Sequence, residues 1–143
     1  MAKKKVCVSF DYEYDRRYYY MMKAWDANPS FDFIFDDHTP DEIQTDSVEV
    51  VKRVLSRKIG EANYMVAIIG QHSNDIHHDH TKIGYRNWQA YEIAKNHEKG
   101  NGLVVVKIVS SNTAPNEAYG IGAKFVIGFS PDSIIKALSD LAS

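Results

Sequence analysis

The stretch Arg86-Asn87-Trp88-Gln89-Ala90-Tyr91-Glu92-Ile93 carries the pair of side chains best suited to chemistry. Read as a helix, it places Trp88 and Glu92 on one face, one turn apart. An aromatic plane beside a carboxylate can hold a sugar-linked aromatic base. The ring stacks, and the carboxylate accepts hydrogen bonds from ribose hydroxyls. It can also stabilise an oxocarbenium-like cation as a glycosidic bond breaks. From spacing alone a plainer arrangement is favoured, with Trp88 in the core and Glu92 facing water. The histidines raise a second chemistry, because His77, His78 and His80 cluster with Asp79. Neighbouring residues of one flexible loop rarely converge on an ion, and no cysteine or distant ligand matches them. A solvated loop and no metal site are therefore expected.

The elements that must position these residues follow in alternation. Val6 to Phe10 reads as a short buried strand, and Asp15 to Ala27 as a helix stopped by Asn28-Pro29. Phe31 to Phe35 alternates apolar and acidic residues like an edge strand, and Asp36 to Thr45 is a polar loop. Asp46 or Ser47 caps the next helix, with Glu49 placed as in a capping box to Asp46. Val50, Val51, Val54, Leu55 and Ile59 form its apolar face. Tyr64 to Ile69 is continuously apolar, as a central parallel strand should be. A long polar loop, Gln71 to Tyr85, leads to a helix from Arg86 to His97. Leu103 to Val109 and Phe125 to Ile127 are strands, and Ser130-Pro131 opens the last helix.

The order βαβαβαββα implies parallel strands with right-handed crossovers. It predicts one α/β domain over residues 1–143, a flavodoxin-like three-layer sandwich with a five-stranded parallel sheet in the order 2-1-3-4-5. Ligands then bind at the carboxyl ends of the strands, near the switch point between strands 1 and 3. The loop after Phe10, the Asp36–Thr45 loop and the loop after Gly70 are the segments to watch.

Composition narrows the partners. A chain of 143 residues with net charge −2 does not point to nucleic acid. The run Lys3-Lys4-Lys5 reads as the solvated entry to the first strand. The lone Cys7 excludes an intrachain disulfide and any CxxC metal site, and reads as a small buried apolar residue. No apolar run approaches membrane-spanning length, and no apolar segment follows the N-terminal charges, so a cytoplasmic location without membrane contact is expected. Several flavodoxin-like chemistries are excluded. The acidic turn Asp11-Tyr12-Glu13-Tyr14-Asp15 would repel a flavin phosphate. Ile68-Ile69-Gly70-Gln71 lacks the aspartate of a response-regulator receiver. Gly120-Ile121-Gly122 lacks the third glycine and the following helix of a dinucleotide motif, and there is no P-loop.

The chain resembles the TIR-like family, in particular the TIR-like proteins of bacterial Thoeris antiphage defence. The matching segments are Val6-Cys7-Val8-Ser9-Phe10-Asp11-Tyr12 with Asp15-Arg16, Ala24-Trp25-Asp26-Ala27-Asn28-Pro29 and Phe31-Asp32-Phe33. Asp36-Asp37-His38, Asp46-Ser47, Ile68-Ile69-Gly70, and Trp88 with Glu92 complete them, over roughly residues 5 to 110. The resemblance implies cleavage of NAD at the nicotinamide–ribose bond by a glutamate on the helix after strand 3, the position of Glu92. NAD is then a substrate, and no cofactor is implied. The product would be a diffusible signal, a cyclic ADP-ribose isomer or an ADP-ribose conjugate, that activates a separate effector. Homo-oligomeric TIR–TIR assembly is implied as well.

On this reading Glu92 binds the ribose hydroxyls and stabilises the developing charge. Phe10 and Trp88 are candidates to stack on base or ribose, with core packing the alternative for each. Asp11 and Tyr12 can line the pocket, and His38 and His72 can contact substrate or acceptor. Asp46 and Ser47 are substrate candidates whose first assignment is helix capping. Gln71-His72-Ser73 stands where relatives often carry Glu-x-Thr, and Asp75 to Lys82 is a long insertion. Both leave the fate of the ADP-ribosyl group open. Two other functions compete: a non-catalytic TIR scaffold, and a nucleoside deoxyribosyltransferase, which uses a similar fold and a glutamate nucleophile.

Overall fold

The computed structural model describes residues 3–28, 31–37 and 45–142. The apolar runs become the strands β1 (Lys4–Ser9), β2 (Phe33–Asp37), β3 (Tyr64–Ile69), β4 (Gly102–Lys107) and β5 (Lys124–Ile127). All pair in parallel in the order β2-β1-β3-β4-β5. β3, and β4 from Leu103 to Val106, are continuously apolar because both of their faces are covered. Register is fixed by pairs such as Ser9↔Ala67 and Val66↔Val104.

The helices are α1 (Tyr12–Lys23), α2 (Val48–Glu61), the single-turn α3 (His80–Ile83), α4 (Trp88–Glu98) and α5 (Pro131–Ala142). Strand side chains alternate between two layers. Val6, Val8 and Phe10 pack with Tyr19 and Met22 of α1 and with Ile134 and Leu138 of α5. Cys7, Met65 and Ala67 pack with Leu55 and Ile59 of α2 and with Ile93 of α4. Burying each large side chain contributes about 1.5–3 kcal/mol, so both faces of the sheet are strongly held. Among the described residues, no helix is long and apolar enough to cross a membrane.

Helix starts depart from the sequence reading for local reasons. α1 begins at Tyr12 rather than Asp15, because the Asp11 carboxylate accepts hydrogen bonds from the backbone N–H groups of Glu13 (3.0 Å) and Tyr14 (3.2 Å). It yields to a tighter 3-10 turn at Ala24–Ala27. β2 runs two residues further than the Phe31–Phe35 expectation, taking Asp36 and Asp37 out of the loop. Ser47, not Asp46, caps α2, its Oγ accepting from Val50 N–H at 3.3 Å, so Glu49 is out of register for a capping box. Asn87 caps α4 by accepting from Ala90 N–H at 2.9 Å, which moves the start from Arg86 to Trp88. The Gln71–Tyr85 loop contains α3, closed by Gly84 at φ 83°, a backbone state that favours glycine. His38 lies outside the described residues.

Candidate active site

Three segments meet above the C-terminal ends of β1 and β3: the β1–α1 turn, the loop after β3, and the first turn of α4. Gln89 fixes the junction, its Nε2 donating to the carbonyls of Ser9 (3.3 Å) and Ile68 (2.9 Å). It thereby bridges the two strands near their C-terminal ends. Asn87 Nδ2 donates to the carbonyls of Ser73 (2.9 Å) and Asp75 (2.8 Å) and holds the β3 loop against α4. Ser73 Oγ accepts from Gly70 N–H at 2.9 Å and donates to the Ile68 carbonyl at 3.3 Å. The walls of the site are thus tied by polar bonds, those of Gln89 and Ser73 buried and those of Asn87 nearer the surface.

A cleft of about 540 Å³ opens at this junction. Phe10, Asp11, Tyr12, His72 and Trp88, drawn from three separate stretches of the chain, all line it. Phe10 serves core and cleft at once: it is buried and stacks on Tyr19 at 5.3 Å. Trp88 is half-buried and packs edge-on against Tyr91 at 5.6 Å, leaving a face to the cleft. Burial pushes the Asp11 carboxyl upward, against its two backbone hydrogen bonds. Asp46 and Ser47 are exposed and line no cleft described for this end of the sheet.

Glu92 takes neither position that its spacing suggested. It is 1% exposed, so it does not face water, and it lines neither cleft. It sits behind the floor, where Ser9 Oγ donates to its Oε1 at 3.2 Å. Trp88 and Glu92 share α4, but only Trp88 reaches the cleft surface.

A second, larger cleft of about 780 Å³ adjoins the first, between α1 and the loop after β4. Tyr14, His72 and Asp75 line both clefts. Tyr14 and His72 stack at 3.8 Å, and His72 Nδ1 donates to Asp75 Oδ2 at 2.8 Å. Asp15 lines the larger cleft and is buried. Its carboxyl is pushed up to about 6, chiefly by burial and next by Asp11, with Arg17 and His72 opposing. Sequence reading missed Ser9, Asp15 and Gln89 as site residues. For Asp15 a signal existed: Asp11, Asp15, Tyr19 and Met22 follow one another at helical spacing, and Tyr19 and Met22 are core.

The histidine loop brings its side chains closer together than expected. His77, His78 and Asp79 each offer a ligand atom within 4.8 Å of the others, despite being adjacent in sequence. Local contacts account for the grouping: Asp79 N–H donates to His77 Nδ1 at 3.0 Å, and His78 Nε2 lies 3.3 Å from Asp79 Oδ2.

Residues 7–113 match the family described as Thoeris protein ThsB, TIR-like domain. Comparison with curated proteins returns no match. Among solved structures the chain is similar to a 2-desoxiribosyltransferase from Leishmania mexicana, with TM-score 0.60 and 12% identity over 96% of this chain and 97% of that one. It also aligns with a 3-dehydroquinate dehydratase-like protein from Bifidobacterium longum, at TM-score 0.48 and 15% identity over 99% and 96%. At such identity the first likeness speaks for the α/β fold alone.

Proposed function

The chain belongs to the TIR-like domain family of the Thoeris protein ThsB, and from that premise we propose that it cleaves NAD at the nicotinamide–ribose bond. The ADP-ribosyl group then becomes a signal in antiphage defence, as a cyclic isomer or a conjugate. The observation that carries this reading is the arrangement on α4. Trp88 lines the cleft, and one turn on Glu92 stands behind its floor, hydrogen-bonded to Ser9 at the end of β1.

Trp88 and Tyr12 offer planes for base and ribose. Glu92 supplies negative charge where positive charge grows on the ribosyl carbon. On this reading a shift of the Ser9 side chain and of Gln89, which lines the cleft, opens its path to the ribose hydroxyls. Nicotinamide leaves from a pyridinium as a neutral molecule, so no strong general acid is needed. The product acts on a separate effector, and assembly with further TIR domains completes or triggers the site.

A mass-resolved assay of NAD with concentrated protein tests this. Nicotinamide and a new ADP-ribosyl species are expected, and Glu92→Gln should slow both by about 10²-fold or more, as for other preorganised charges. Wild-type turnover by Glu92→Gln would remove Glu92 from the mechanism. The full burial of Glu92 favours one second reading, a TIR scaffold that works by assembly. NAD left intact in buffer and in infected-cell lysate alike would select it. Exchange of bases between deoxynucleosides would instead point to the chemistry named for the Leishmania structure.

A further inference from the structure

The Trp88 cleft and Glu92 account for bond breaking, but neither provides a place for the group that attacks the ribosyl carbon. The neighbouring cleft has the features of one. Asp15 is 5% exposed and lines that cleft, and its Oδ2 has no hydrogen-bond partner among the described residues. A buried acceptor left unsatisfied costs stability, and a ligand's O–H or N–H is what would complete it. The niche depends on Gly70, where an added Cβ would fall 2.6 Å from the Asp15 Cγ. The facing wall is set by Asn112, whose Nδ2 donates to the Ile69 carbonyl at 2.9 Å. The Tyr14–His72 stack lines both clefts, so the Asp15 cleft adjoins the Trp88 cleft there.

We propose that the Asp15 cleft is an acceptor subsite: it takes a small nucleophile bearing an O–H or N–H, and Asp15 receives that proton during attack. The inference rests on the NAD-cleaving reading. The nucleophile's lone pair forms a bond to ribose C1′. The bond from C1′ to the pyridinium nitrogen breaks, and its electron pair leaves with neutral nicotinamide. The acceptor's proton passes to an Asp15 oxygen and later to solvent, so the pyridinium charge and the carboxylate charge cancel. A base must be ionised yet able to hold a proton, which suits a carboxyl at about 6. The charged groups around it are Asp11 and Arg17 on its own helix and His72 and Asp75 after β3, while the β4-loop segment of the cleft wall, Ile108, Val109 and Ser111 to Thr113, carries none.

The test uses the full chain, NAD and two probe nucleophiles. Methanol must lose a proton to react, whereas a pyridine base attacks through a ring nitrogen that has none to lose. Asp15→Asn should lower methyl-ADP-ribose formation relative to pyridine exchange by about tenfold or more, given that general bases contribute about 10²- to 10⁴-fold. It should also flatten the rise of methanolysis with pH around 6, and Asp15→Glu should restore part of the ratio. An unchanged ratio, or an equal fall in both reactions, overturns the assignment while leaving NAD cleavage standing. A wild-type protein that releases no nicotinamide overturns both.

Discussion

Glu92 and Asp15 are two carboxyls buried under the same end of one sheet, on opposite layers. Glu92 projects from α4, and its Oε1 accepts the Ser9 hydroxyl at 3.2 Å. Asp15 projects from α1, its Oδ2 has no such donor among the described residues, and its carboxyl is pushed up to about 6. The same burial therefore has two consequences. A carboxylate given a donor is held in place as a fixed part of the site. One denied a donor releases its proton late and remains available to whatever enters the cleft beside it.

Perturbing each side in turn sharpens this contrast. The largest effect is expected from Glu92→Gln, about 10²-fold on nicotinamide release. Gly70→Ala should come next. It places a methyl group against the Asp15 carboxyl and should cost about 1–3 kcal/mol in urea unfolding. Adding Asp15→Ala should recover much of that loss, and strict additivity of the two changes would show that they do not touch. Trp88→Ala should raise the KM for NAD by about tenfold, within the range for loss of one stacked base; an unchanged KM would move the base out of this cleft.

Asp15→Asn should then change the pH dependence of folding. The folded-state value lies above the ordinary 3.8, so the unfolded chain releases this proton first as pH rises. Wild type therefore loses stability between about pH 4 and 6, and above that window the variant should be the more stable by about 1–2 kcal/mol. Parallel stability curves for the two proteins would refute the buried, unpartnered state. The smallest effect belongs to Ser47→Ala, about 1 kcal/mol from a lost cap with NAD turnover unmoved. A fall in turnover there would return Ser47 to the substrate site.

The strand order and the central strands were legible because covering β3 and β4 on both faces forces an unbroken apolar run. Five of the proposed substrate residues converge for a related reason: parallel topology brings the turn after β1 and the start of α4 to one edge. What stayed hidden depended on partners distant in sequence. Ser9 reads as one more strand residue until Glu92 approaches it from 83 positions away. Gln89 reads as a polar helix residue until it spans two strand carbonyls. For Asp15 the helical spacing with Tyr19 and Met22 marks the buried face, but not the room that Gly70 leaves for the carboxyl.

The Gln89 bridge has a consequence in time as well as in shape. On the proposed cleavage, bringing Glu92 to the cleft by moving Gln89 means parting its two hydrogen bonds to the ends of β1 and β3. On the proposed function, an assembly partner that loosens those two bonds would act as a starter, and the frequency of that opening would set how soon the signal is made.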